Sequence, residues 1–155
     1  MMDNDEVISN LNTLVETCKD GEVGFRDCAN HVRDAQVKML LEERARGCAT
    51  AAQELQDLVR VRGGDPEKST SFMADLHRRW VDIKASVKGN DDAMILNECE
   101  RGEDVAVRSY GKVLDKPLPP EVRVVVERQY QGVLRNHDQV KSLRNQARAR
   151  SSPDH

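Results

Sequence analysis

Aromatic side chains are scarce in this chain. One tryptophan, two tyrosines and two phenylalanines make up 3% of its 155 residues. A β-sandwich usually draws on more aromatic and β-branched positions. The core must instead be built from Leu, Val, Ile, Ala and Met, which favours packed amphipathic helices. Nor is there an apolar run near the roughly eighteen residues that a membrane-spanning helix needs. The acidic N-terminus lacks an apolar signal core, so a cytoplasmic location is expected. Neither sign of charge dominates: 24 Lys and Arg stand against 27 Asp and Glu, a net charge of −3. That argues against a nucleic-acid partner. The basic stretch from Arg144 to Arg150 reads as a solvated helix end whose cations oppose the macrodipole. The four cysteines, Cys18, Cys28, Cys48 and Cys99, have no C-x-x-C spacing and read as buried, reduced, small hydrophobes.

What the chain does have is helical periodicity. Residues 4–32 carry Ile8, Leu11, Val15, Cys18, Glu22, Phe25 and Ala29 on one face, with Gly21 and Gly24 as points of close approach or bending. Residues 34–62 carry Val37, Leu41, Arg44, Cys48, Leu55 and Val59, and Gly63-Gly64-Asp65-Pro66 stops them. A shorter helix capped at Ser69 to Ser71 and reaching Lys88 bears Trp80 and the basic triplet His77-Arg78-Arg79. That triplet reads as crossover surface. Residues 91–115 carry Ile95, Cys99, Gly102, Ala106, Tyr110 and Val113. After Lys116-Pro117-Leu118-Pro119-Pro120, a last helix to Ala147 carries Val122, Val126, Gln129, Val133, His137 and Val140. Residues 1–150 thus read as one all-α domain, with 151–155 as a flexible tail.

Short links make antiparallel hairpins of the first and last pairs of long helices. The long middle segment can return along the bundle, the one-crossover arrangement of ferritin-like folds. A five-helix up-and-down array is the rival. With a crossover, helices one and four run one way and two and three the other. Glu22, Arg44, the Glu98-Cys99-Glu100 segment and His137 then share one level.

The quoted residues support a resemblance. Leu14 to Asp20-Gly21 with Gly24, Arg44 with Glu54-Leu55, and Gly63-Gly64 with Pro66 are matching features, as are His77-Arg78-Arg79-Trp80. So are Ile95-Leu96 with Glu98-Cys99-Glu100-Arg101-Gly102-Glu103-Asp104, and Gln129 with His137-Asp138. On these the chain resembles a bacterial ferritin-like family of unassigned function. The resemblance implies a four-helix bundle with a helical crossover. It implies no established activity.

Ferritin-like di-metal centres take a Glu from each of two helices and Glu-x-x-His from the other two. This chain has no Glu-x-x-His; Leu134 stands three residues before His137. Arg44, always charged and unable to ligate, occupies a core-facing position. The favoured reading is therefore a metal-free polar network of Glu22, Arg44, Glu100, Glu103, Gln129 and His137. Cofactors are then absent, and the protein acts by association, as a homo-oligomer such as a dimer, or by binding a small ligand. Replacing Arg44 by Ala would then cost about 3–5 kcal/mol. The alternative is iron or manganese held by Glu22, Glu98, Glu103 and His137, as in an oxidase or iron-handling protein. Three bland readings stand beside these. Glu22 turns outward if the glycines bend its helix, Glu103 pairs with a neighbouring cation, and His137 is a hydrogen-bonded core histidine. Cys99 among carboxylates would be a blunted thiol. Tyr110 and Tyr130 read as packing residues. No phosphate loop and no Ser-His-Asp or Cys-His set can be placed, so whether the chain is an enzyme is left open.

Overall fold

A computed structural model describes residues 2–66 and 92–151, the side chain of Ser151 excepted. Four helices account for most of them: α1 (Asn4–Ala29), α2 (Ala35–Val61), α3 (Asp92–Leu114) and α4 (Pro120–Ser151). The boundaries follow local chemistry. Asp3 caps α1 by accepting the Glu6 N–H at 2.8 Å, and Asp34 caps α2 by accepting from Gln36 and Val37. Gly63, at φ 83°, takes the left-handed conformation just past α2. Pro120 opens α4, where its missing N–H and fixed φ cost nothing. The sequence places α4's end at Ala147; the helix runs one turn further, to Ser151. The shorter helix read over 69–88, with Trp80 and the basic triplet, lies outside the described residues, as do 152–155 of the tail.

Contacts at the two ends fix the directions. The Asp92 carboxylate at the start of α3 accepts the Arg33 and Asp34 N–H groups between α1 and α2. At the other end, Arg62 after α2 pairs with Glu121 in the first turn of α4 at 2.6 Å. Hence α1 and α4 run one way and α2 and α3 the other. The end of α2 and the start of α3 therefore lie at opposite ends of the bundle, as a crossover requires. The packing is uneven. α1 lies extensively on α2, and α3 on α4, whereas α2 and α4 barely touch.

The core is built in two parts. One surrounds Leu11, Leu14, Leu55, Val59, Val122 and Val126; the other surrounds Phe25, Leu41, Leu96, Cys99 and Val140. Except for Leu14 and Leu96, each next to a stripe residue, these are stripe positions read from the sequence on all four helices, so the period of 3.6 located the buried faces. The interval between the two parts holds the polar residues.

Candidate functional site: a cleft between the second and fourth helices

Small residues create the site. Gly21 on α1, Gly47 and Ala51 on α2, Gly102 and Ala106 on α3, and Gly132 on α4 meet at mid-bundle and leave a cavity of about 390 Å³. It opens where α2 and α4 stand apart. A close-packed interior would fill such a space with side chains. Gly21 is required by a close approach, because a Cβ there would lie 2.9 Å from Cys48 Sγ.

Two polar features line the cavity. The first is a hydrogen-bonded chain that spans the bundle. Cys18 Sγ lies 3.2 Å from the Tyr110 hydroxyl, and that hydroxyl donates to Gln129 Oε1 at 2.7 Å. The Gln129 amide donates to Glu54 Oε1 at 2.8 Å and to the Ala51 carbonyl. Glu54 is held in turn by Arg128. Every helix contributes at least one member. Burial pushes the Cys18 thiol up to about 11, offset in part by its Tyr110 contact, so it is a protonated, unreactive group. Burial likewise raises the Tyr110 phenol.

The second feature is Glu103, which is 4% exposed and whose Oε1 has no hydrogen-bond partner among the described residues. Burial pushes its carboxyl up to about 8. Arg44 opposes the rise, and Asp104 and Glu100 add to it. Cys48, above ordinary thiols because of its burial, feels Glu103, Glu22 and Arg44. Cys48 and Glu103 line the same cavity, with Glu22 and Arg44 within electrostatic reach of Cys48.

The predicted network is not continuous at that level. Glu22 turns to Arg26 on its own helix at 3.0 Å, and Glu98 to Arg101 at 3.1 Å. Both are i,i+3 or i,i+4 pairs, which long side chains on one helix form readily. Glu100 pairs with Arg144, and both are largely buried. Arg144 is therefore no solvated helix end. His137 Nε2 lies 2.6 Å from Asp104 Oδ1. Of the predicted network only Gln129 joins the cavity's hydrogen-bonded chain, and Glu103 Oε1 has no partner among the described residues. Arg44 makes no ion pair among the described residues; its Nη2 donates to Gln139 at 2.7 Å. Replacing Arg44 by Ala should then cost about 1 kcal/mol in urea denaturation, the worth of one such bond, in place of the larger loss expected for a buried ion pair.

The proposed metal quartet of Glu22, Glu98, Glu103 and His137 does not converge either. Among the described residues, the group whose ligand atoms approach one another, all within 4.8 Å, is Glu100, Asp104 and His137. It lies between α3 and α4. Among the described residues, Glu103 joins no group of three converging metal ligands, so the four-helix centre they form does not fit a di-metal site. Sequence reasoning missed Asp104 as a site residue, although it follows Glu103. It also assigned Tyr110 to packing alone. The tyrosine does pack, stacked on Tyr130 at 6.4 Å between ring centres, but its hydroxyl is the centre of the relay. The small-residue positions themselves were the available signal for the cavity.

Comparisons with known proteins agree with this architecture. A two-domain protein from Anabaena variabilis, containing DJ-1/ThiJ/PfpI-like and ferritin-like domains, is similar over 94% of this chain at 14% identity, with a TM-score of 0.76. The chain spans 40% of that protein's length. A mutant of Mycobacterium smegmatis Dps1 is similar over 92% of this chain and 98% of its own, at 13% identity and a TM-score of 0.76. At such identities the likeness concerns the fold, which is a ferritin-like four-helix bundle. No curated protein matches. Among the described residues no helix is long and apolar enough to cross a membrane. The model of a domain of unknown function (DUF2383) matches residues 6–116, and the chain belongs to that family.

Proposed function

We propose that this protein is a non-catalytic, cytoplasmic bundle that binds a small organic molecule in the cleft between α2 and α4. The observation that carries the reading is the cavity of about 390 Å³ at the level where the two parts of the core separate. Its volume falls within the range of small-molecule sites, roughly 300–1,000 Å³, and its walls are mainly apolar with a few placed polar groups. The buried, protonated thiols and the saturated Tyr110–Gln129 relay favour binding over nucleophilic chemistry. Benzene is a suitable first probe, because an apolar cavity of this kind admits it. Titrated into ¹⁵N-labelled protein, it should shift the amide signals of Gly47, Ala51, Gly102 and Gly132 saturably. Ala106→Leu, which adds bulk at the cavity wall, should remove that response. Absence of a saturable shift at millimolar benzene would refute the reading. Association into a homo-oligomer, a dimer in the simplest case, belongs to the same proposal. A concentration-independent monomer by light scattering would remove it.

A second reading rests on Glu100, Asp104 and His137. Two carboxylates and an imidazole suit a divalent ion such as manganese or iron. Asp104 and His137 would supply ligands directly, and Glu100 would have to share its carboxylate with Arg144. Equilibrium dialysis against Mn²⁺ should then give one ion per chain, with affinity reduced at least about tenfold in His137→Gln. Equal uptake by both proteins, or none, eliminates this site. About two metals per chain, lost in His137→Ala, would instead overturn the metal-free reading.

A further inference from the structure

Resting on the ligand-binding reading of the cleft, we infer that its occupant is a compact, uncharged, mainly apolar molecule with one hydrogen-bond donor, which it gives to Glu103. Apart from the Cys48 thiol, the half-buried Asn136 and the exposed Arg135, the polar side chains that line the cavity are committed elsewhere. The Tyr110 hydroxyl is given to Gln129, and the Gln129 amide to Ala51 and Glu54. Thr17 and Thr50 donate their hydroxyls to carbonyls of their own helices, those of Thr13 and Arg46. Glu54 is occupied by Arg128 and Gln129. Glu103 Oε1 is different. It belongs to a cavity-lining residue that is 96% buried, and it accepts nothing from the described residues. Buried acceptors in native proteins are almost always paired, so an unpaired one at a cavity wall marks the place of a missing donor.

Charge and size narrow the class. Burial keeps the Glu103 carboxyl protonated near neutral pH although the Arg44 guanidinium, within electrostatic reach, favours the ionised form; the neutral acid still offers a carbonyl oxygen to a donor. A cationic ligand would duplicate that charge and repel Arg44, whereas a neutral N–H or O–H would meet the acceptor without doing so. The glycine and alanine walls leave apolar surface for the body of the molecule. The volume, near the small end of ligand sites, suits one or two rings.

Indole and indene test the inference directly, since they are close in shape and differ in the N–H donor. Calorimetric titration of the wild-type protein should give indole about tenfold tighter binding than indene. Glu103→Gln, which keeps an amide oxygen, should retain the preference. Glu103→Leu should abolish it, weakening indole while leaving indene unchanged. Equal affinities of the wild type for the two probes would overturn the donor assignment and leave the cleft as a ligand site. Tighter binding of benzylammonium than of indole would overturn the uncharged class. Failure of benzene, indole and indene alike would overturn both this inference and the reading on which it rests. The wild-type comparison stands even where the leucine variant does not fold.

Discussion

Glu103→Gln should stabilise the protein at pH 9 and leave it almost unchanged at pH 5. Burial lifts the Glu103 carboxyl from 4.5 to about 8 in the folded chain. The native state therefore holds a proton that the unfolded state releases. Stability from this group is complete below about pH 4.5 and is lost as pH rises through about 8. A tenfold difference in proton affinity between the two states corresponds to about 1.4 kcal/mol, so the ionised carboxylate costs on the order of 3–5 kcal/mol once the pH exceeds the folded value. Glutamine has nearly the shape of the protonated acid and cannot ionise. In melting curves from pH 5 to 9, the wild type should lose roughly 10 °C, a figure scaled from a few degrees per kcal/mol for a domain of this size. The variant should lose much less. Asp20 adds a slope of the same sign at lower pH. It is buried, its Oδ2 lacks a partner, and burial with Glu16 nearby lifts it from 3.8 to about 7. Asp20→Asn should therefore flatten the curve between about pH 4 and 7, and Glu103→Gln between about 5 and 8. A Glu103→Gln variant less stable than wild type at pH 9 would mean that the ionised carboxylate is satisfied by a direct pair with Arg44.

Glu103 also shows where sequence reasoning succeeds and where it stops. Apolar spacing on the long helices located Leu11, Leu41, Ile95 and Val126 in the core, because periodicity and burial are both properties of a single helix. The short and long links then gave the helix directions, and with them an expected common level for Glu22, Arg44, the Glu98-Cys99-Glu100 segment and His137. Partner choice was another matter. Glu22 and Glu98 sit beside core positions, yet a side chain three or four bonds long can swing to Arg26 or Arg101 on its own helix. Whether it does depends on a neighbour's position to within an ångström, and periodicity supplies no such distance. The cavity was hidden for a related reason. Gly21, Gly47, Gly102 and Gly132 are separate positions on four helices, and their convergence exists only after packing. Arg144 was obscured by its basic surroundings, although its partner Glu100 stands in the most distinctive string of the chain.

Tyr110→Phe should cost about 1–3 kcal/mol in urea denaturation, more than the removal of one exposed hydroxyl would. Tyr110 is 1% exposed, and its hydroxyl supplies the hydrogen bond that Gln129 Oε1 accepts. With phenylalanine the ring and its stacking on Tyr130 persist, but a buried amide oxygen loses its donor. Gln129→Leu should cost at least as much, because it leaves the Tyr110 hydroxyl only the weak sulfur partner Cys18 and removes one of the two groups that hold Glu54. The double variant is the informative one. Once both partners are apolar, neither leaves the other unsatisfied, so its loss should fall short of the sum of the single losses by about 1 kcal/mol or more. Additive losses would show that the two groups act independently, and that the chain from Cys18 to Arg128 is a series of separate contacts. The coupled outcome has a consequence for the cleft. The relay ties α3 to α4 and, through Ala51 and Glu54, α4 to α2, the two helices whose separation forms the mouth. Breaking it should therefore loosen that mouth. Amide hydrogen exchange should quicken around Gly47 to Ala51 and Gly132 to Val133 in Tyr110→Phe, while the Leu41 and Leu96 region keeps its wild-type protection.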